Sequence, residues 1–159
     1  MKRGAWFVLL LVVIMGCVTL EMPKYLEEEF QYRKNFDANF NATFAASVNA
    51  LESLGWKVAE TESLPVFKSG AIDESSQEYT ALIFTEIKQR SLFIFSTYLT
   101  LNVYVRSIDE NSSEVEIRYL SITAFPPFFK EKRIDRNDGL VNKIYRKIDK
   151  YLITESSDL

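Results

Sequence analysis

Apolar and polar positions repeat along the chain with two periods. Phe30, Tyr32 and Phe36 alternate with Gln31, Arg33 and Asn35, which predicts a first strand. Asp37 and Asn39 are suited to cap a helix start, and Phe40, Phe44, Val48 and Leu51 then recur at helical spacing. Ala45, Ala46, Ser47 and Ala50 flank that stripe and allow a close approach to a sheet. Gly55 stands where a left-handed cap ends a helix, and Trp56 and Val58 alternate with Lys57 and Ala59 as a strand departs. Pro65 and Gly70 punctuate a weaker strand around 66–72, and Asp73 to Gln77 read as a loop.

Tyr79 to Lys88 is strand-like, Gln89-Arg90-Ser91 is expected to turn, and Leu92 to Ile108 is the longest β-favouring stretch. There Leu99, Leu101, Val103 and Val105 alternate with Thr100, Asn102, Tyr104 and Arg106, the pattern of one buried and one wetted face. Asp109 to Ser112 forms a hairpin connection, and Val115, Ile117 and Tyr119 alternate with charged residues on the return strand. A Pro-interrupted loop at Phe125 to Phe129 and a charged stretch lead to a final helix capped by Asn137 or Asp135. Leu140, Ile144, Ile148 and Tyr151 form its stripe, with Lys143, Arg146, Lys147 and Lys150 on the other side. The order β-α-β-β-β-β-α predicts an α+β two-layer sandwich, an antiparallel sheet of about four or five strands with both helices on one face. Neither helix can bury its stripe except against the sheet.

The amino-terminal residues follow a different rule. Lys2 and Arg3 precede an apolar run from Ala5 to Met15, which is shorter than the roughly 20 residues a membrane-spanning helix needs. Ile14-Met15-Gly16-Cys17 resembles the lipobox of bacterial lipoproteins. The resemblance implies removal of residues 1–16, a diacylglyceryl thioether on Cys17 and an amide-linked acyl chain on its new amino group. Two or three acyl chains hold a protein stably where one does so marginally. Val18 follows the Cys, without the Asp that the family's sorting rules tie to inner-membrane retention, so the resemblance implies the outer membrane, facing the periplasm, in a two-membraned cell. An ordinary cleaved signal with a stray Cys17 is the alternative reading. The expected organisation is then a lipidated Cys and flexible tether over 17–27, a single domain over 28–154 and a disordered tail over 155–159.

Composition narrows the chemistry. The chain of 159 residues has no His, one Cys and five Gly, which excludes His-based triads, imidazole bases, thiolate or imidazole zinc sites and disulfide frameworks. The three glycines beyond the leader, Gly55, Gly70 and Gly139, build no phosphate-binding loop or nucleophile elbow. Asp73-Glu74 and Asp109-Glu110 are adjacent carboxylates in loops, where nothing separates their pKa values for acid–base work, and they lack calcium-loop spacing. Neither a catalytic residue, a metal nor a cofactor is expected.

The candidate contact surface is Phe125, Phe128 and Phe129, stiffened by Pro126 and Pro127, with Lys130, Lys132, Arg133 and Arg136 beside it. Between 130 and 150 eight basic residues face four acidic ones, although the chain without its leader is acidic overall. Such a stretch suits anionic headgroups, lipopolysaccharide phosphates or an acidic partner face, while a solvated helix face and rings folded into the core are the alternatives. Nucleic acid is not an expected partner of an exported, anchored domain.

Phe36-Asp37-Ala38, followed by a helix ending in Leu54-Gly55-Trp56-Lys57-Val58, is similar to the opening of helix-grip domains in small lipoproteins of the outer-membrane assembly machinery. In element order the resemblance covers residues 30–152, and it implies a fold without assigning a functional residue. The function expected from these readings is a lipid-anchored envelope lipoprotein, a non-enzymatic binding or scaffold module whose partner is an envelope protein or lipid. The alternative is a carrier of an apolar ligand between sheet and helices.

Overall fold

A computed structural model describes residues 22–26, 32–66, 78–92, 95–125, 129–133 and 137–157. The strands are β1 (Tyr32–Phe36), β2 (Val58–Val66), β3 (Glu78–Thr85), β4 (Lys88–Leu92), β5 (Phe95–Ser107), β6 (Ser113–Phe125) and β7 (Phe129–Arg133). Helix α1 (Phe40–Ser53) follows β1, and helix α2 (Asp138–Ser157) closes the chain. All strands join one antiparallel sheet in the order β1-β6-β5-β3-β2, with β4 added beside β5 and β7 beside β6. The α+β arrangement read from the sequence is the one adopted, with two short strands beyond the five-strand path.

The long hairpin β5–β6 is the spine. Its upper half, near the Ser107↔Ser113 turn, is flanked by β3 on one side and β1 on the other. Its lower half is flanked by β4 and β7, which pair at Lys88↔Leu99 to Leu92↔Phe95 and Ser121↔Arg133 to Phe125↔Phe129. Strand β4 continues the direction of β3 with its register displaced by one residue, the signature of a bulge. At that step the Thr85 side chain stands in for the ladder: its Oγ1 accepts from Leu101 N at 2.9 Å.

Several local expectations change here. Gln89-Arg90-Ser91 lies inside β4 rather than in a turn, because an edge strand bonded only to β5 tolerates polar residues on its open side. The strand that leaves Trp56 runs on through Pro65 to Val66 as β2, which accommodates the proline because it too is an edge, and the weaker strand expected around 66–72 lies outside the described residues beyond Val66. The charged stretch after Phe129 begins as a strand, β7, which pairs with β6 and contains Lys130, Lys132 and Arg133, while 126–128 and 134–136 lie outside the described residues. The last helix runs through Ser157, into the segment expected as a tail.

One core lies between the sheet and the helices. Leu101, Val103, Val105, Val115, Ile117 and Ile83 meet Ala46, Ala50 and Leu51 of α1 and Val141, Ile144, Tyr145 and Ile148 of α2. The fully buried side of α1 is thus its small-residue face together with Leu51, while Phe40, Phe44 and Val48 pack at the margin half-buried. The Ala positions let the two helix backbones and the sheet approach closely, and the larger rings fill the wider rim. Asn39 caps α1, its Oδ1 accepting from Ala42 N at 2.9 Å, and Asn137 caps α2 in the same way through Leu140 N at 3.1 Å. Gly55 has φ 72°, the left-handed cap expected of it.

Candidate functional site

The face of the sheet turned away from the helices carries the second constellation of the molecule. Alternation puts Arg33 of β1, Glu114, Glu116 and Arg118 of β6, and Asn102, Tyr104 and Arg106 of β5 on this side, and the register sets Glu116 opposite both Arg33 and Tyr104. Glu116 has no exposed surface. Its Oε1 accepts from Arg118 Nε at 2.6 Å, while Oε2 lies 2.9 Å from Arg106 Nη2 and 3.2 Å from Arg33 Nε. Oε2 receives no aligned N–H among these and is held by charge proximity. Arg106 also donates to Glu114 at 2.9 Å, and the Arg118 guanidinium lies over the Tyr104 ring at 4.2 Å. Both carboxylate oxygens therefore face guanidinium groups, a constellation suited to fixing strands and segments in place.

This face is covered by the segment 22–26. Asn102 Nδ2 donates to Lys24 O at 2.8 Å, and Arg118 Nη1 donates to Leu26 O at 2.9 Å. Leu26 is 5% exposed and packs with Leu120 and Ile122, with Met22 against the same group. Lys24 reaches the outer strand, where its Nζ stands 2.7 Å from Glu62 and 3.1 Å from Glu60 and lies over the Phe84 ring. Tyr25 meets Phe84 edge-on. The Lys24 hydrogen bond draws the Glu62 carboxyl below its ordinary value, and the two carboxylates in turn raise Lys24. Residues expected to form a solvated tether are thus fastened across β6, β5, β3 and β2.

Of the residues singled out from sequence, Phe125 and Phe129 close the β6–β7 hairpin as a directly opposed pair, and Lys130, Lys132 and Arg133 follow along the edge strand β7. Phe128, Arg136 and Cys17 lie outside the described residues, as do Asp73 and Glu74. The basic residues of 130–150 do not form one surface element: part lie on β7, and Lys143, Arg146, Lys147 and Lys150 are carried by α2. Asp109 and Glu110 are exposed in the β5–β6 turn, where Asp109 Oδ1 accepts from Asn111 N at 2.8 Å. Bonds from Ser112 and Asn111 lower the Asp109 carboxyl, as an Asx turn does. Among the described residues no group of three or more acidic or Cys side chains is placed to hold a metal ion.

Sequence reasoning missed the Glu116 cluster and the fastening of 22–26. Opposite charges at period two on β1, β5 and β6 were visible as a wetted face. Their convergence on one carboxylate depends on register between strands far apart in sequence, and the cover depends on a segment without periodicity. In comparisons with known proteins, no family model and no curated protein matches the chain.

Proposed function

We propose that this protein is a lipid-anchored cell-envelope lipoprotein that works as a non-enzymatic binding or scaffold module. In this reading residues 1–16 are removed, Cys17 carries the acyl chains, and the domain faces the periplasm from the outer membrane where there are two membranes. The observation that carries it is the pairing of a lipobox-like Ile14-Met15-Gly16-Cys17 with a fastened segment starting at Met22. Four residues lie between Cys17 and Met22, and the five steps between them span at most about 17 Å. An acyl anchor on so short a leash holds the domain against its membrane instead of trailing it at a distance. The engagement of Glu116 by arginines supports a structural use of the buried charges over acid–base catalysis. The contact surface is assigned to Phe125, Phe128 and Phe129 with the neighbouring cations.

The carrier alternative needs space between sheet and helices. An enclosed void wide enough for a ligand leaves its lining residues with accessible surface, yet Leu101, Val103, Ile117, Ile144 and Ile148 have none. That packing favours the binding module. The test is metabolic labelling with a palmitate analogue: wild type is expected to incorporate label and fractionate with membranes, and Cys17→Ser to do neither. Unlabelled wild-type protein in the soluble fraction overturns the anchoring.

A further inference from the structure

We propose that the open face of the sheet is a peptide-binding surface, occupied by segment 22–26 until an extended, lysine-bearing segment of a partner protein displaces it. This surface is distinct from the contact region at Phe125 to Phe129, and its use does not depend on the anchor.

Register builds the surface. Glu60 pairs with Phe84, Phe84 with Asn102, and Asn102 with Arg118, so four adjacent strands contribute one row running straight across the sheet. Segment 22–26 lies along that row. Asn102 Nδ2 donates to Lys24 O at 2.8 Å, and Arg118 Nη1 donates to Leu26 O at 2.9 Å. Two side-chain donors thus take carbonyls two residues apart, groups that any extended backbone presents on one side. Asn102 is 1% exposed. A buried amide donor satisfied by a covering segment requires that segment, or another of the same kind, in place.

The ends of the row select side chains. Lys24 Nζ stands 3.1 Å from Glu60 and 2.7 Å from Glu62, and lies 4.7 Å from the centre of the Phe84 ring. An acidic pair beside an aromatic face favours a cation. At the other end Leu26 is buried against Leu120 and Ile122. The surface therefore takes a Lys followed two residues later by a large aliphatic side chain. The residue between is held less closely, since Tyr25 is 55% exposed.

The resident segment is held loosely enough to be displaced. Among the described residues no backbone–backbone hydrogen bond joins 22–26 to the sheet, so it is no strand of the ladder. Lys24 and Glu60 are exposed, where an ion pair contributes little. Leu26, Leu120 and Ile122 form a cluster apart from the core beneath the helices, so releasing Leu26 leaves that core whole. Such a cover opens more readily than the strands below it. A foreign segment is the occupant chosen over the same segment of a second copy. An identical sequence gains no new contact, and the resident one competes from its tether at an effective concentration on the order of millimolar.

The full-length protein and a fluorescently labelled peptide, Met-Pro-Lys-Tyr-Leu, provide the test by anisotropy. Lys24→Ala with Leu26→Ala is expected to bind the peptide at least roughly tenfold more tightly than wild type, because the resident segment no longer competes. Adding Glu60→Lys with Glu62→Lys is expected to weaken that binding by roughly tenfold or more. A second measurement, on wild type, keeps the question decidable if the released variant fails to fold: excess peptide is expected to remove hydrogen-exchange protection from 22–26. Equal binding by wild type and a folded released variant, no binding by either, or protection of 22–26 that excess peptide leaves unchanged overturns the proposal. A wild-type dimer that the peptide dissociates also overturns it, by making a second copy the occupant.

Discussion

Glu116 shows how much a single side chain depends on its neighbours. Removing a carboxylate from bulk water costs several kcal/mol, and three guanidiniums offset that cost only because they converge on it from β1, β5 and β6. Taking the carboxylate charge away leaves Arg33, Arg106 and Arg118 facing one another. Glu116→Gln, which keeps the shape, is therefore expected to destabilise the domain by about 3 kcal/mol, read as a lowered midpoint in urea unfolding. A loss below about 1 kcal/mol means the arginines are compensated elsewhere. The sequence marks Glu116 only as a polar position on an alternating strand; its burial follows from what stands opposite and above it.

The elements are joined by a few polar ties as well as by the core. Tyr145 of α2 donates its hydroxyl to Tyr32 O of β1 at 2.6 Å and approaches Val115 O of β6 at 3.3 Å. Burial, with Glu116 and Glu114 nearby, pushes that hydroxyl well above its ordinary value of 10.0, so it remains a donor where an exposed tyrosine begins to ionise. Tyr145→Phe is expected to cost about 1 to 2 kcal/mol by leaving buried carbonyls without this donor, with the same fold by circular dichroism. An unchanged unfolding midpoint counts against the tie. At the other end of α1, Ser113 Oγ donates to Ala38 O at 3.0 Å and stands 2.7 Å from Thr43 Oγ1, linking the helix start to β6. Helix limits and caps were legible from sequence at Asn39, Gly55 and Asn137, since each satisfies or bends backbone within a few residues of itself. The strands that escaped the pattern, β4 and β7, are edges, where only one side is bonded and polar residues are tolerated.

Taken together, the molecule is a sheet with two unlike covers: helices packed on one face, and a short segment fastened over a charged cluster on the other. The fastening is pH-dependent in a definite sense. Glu62 is drawn below its ordinary 4.5, so its ion pair with Lys24 contributes above that value and is lost as pH falls through the lowered one. Lys24 is raised above its ordinary 10.5, so the same pair persists through that pH and fades only above it. Protection of 22–26 from hydrogen exchange, taken relative to the intrinsic rate at each pH, is expected to fall on acidification below 4.5, and Lys24→Ala is expected to be less protected at neutral pH with a flatter pH dependence. Identical profiles for wild type and variant mean that Asn102 and Arg118 hold the segment alone.

Periodicity alone determined the elements that bury one face: helix α1 with its glycine cap, helix α2, the β5–β6 hairpin and the α+β class they imply. The order of residue types by itself also shows Ile14-Met15-Gly16-Cys17, which resembles a lipobox, and the apolar-then-basic order after Phe125. Those features are local, because a side chain's face is set by its neighbours along the chain. Tertiary structure decided the rest: which strands share an edge, that three arginines meet at Glu116, and that 22–26 lie across the open face. Each of these depends on register between distant segments, and alternation states which face a residue occupies without stating what stands opposite it.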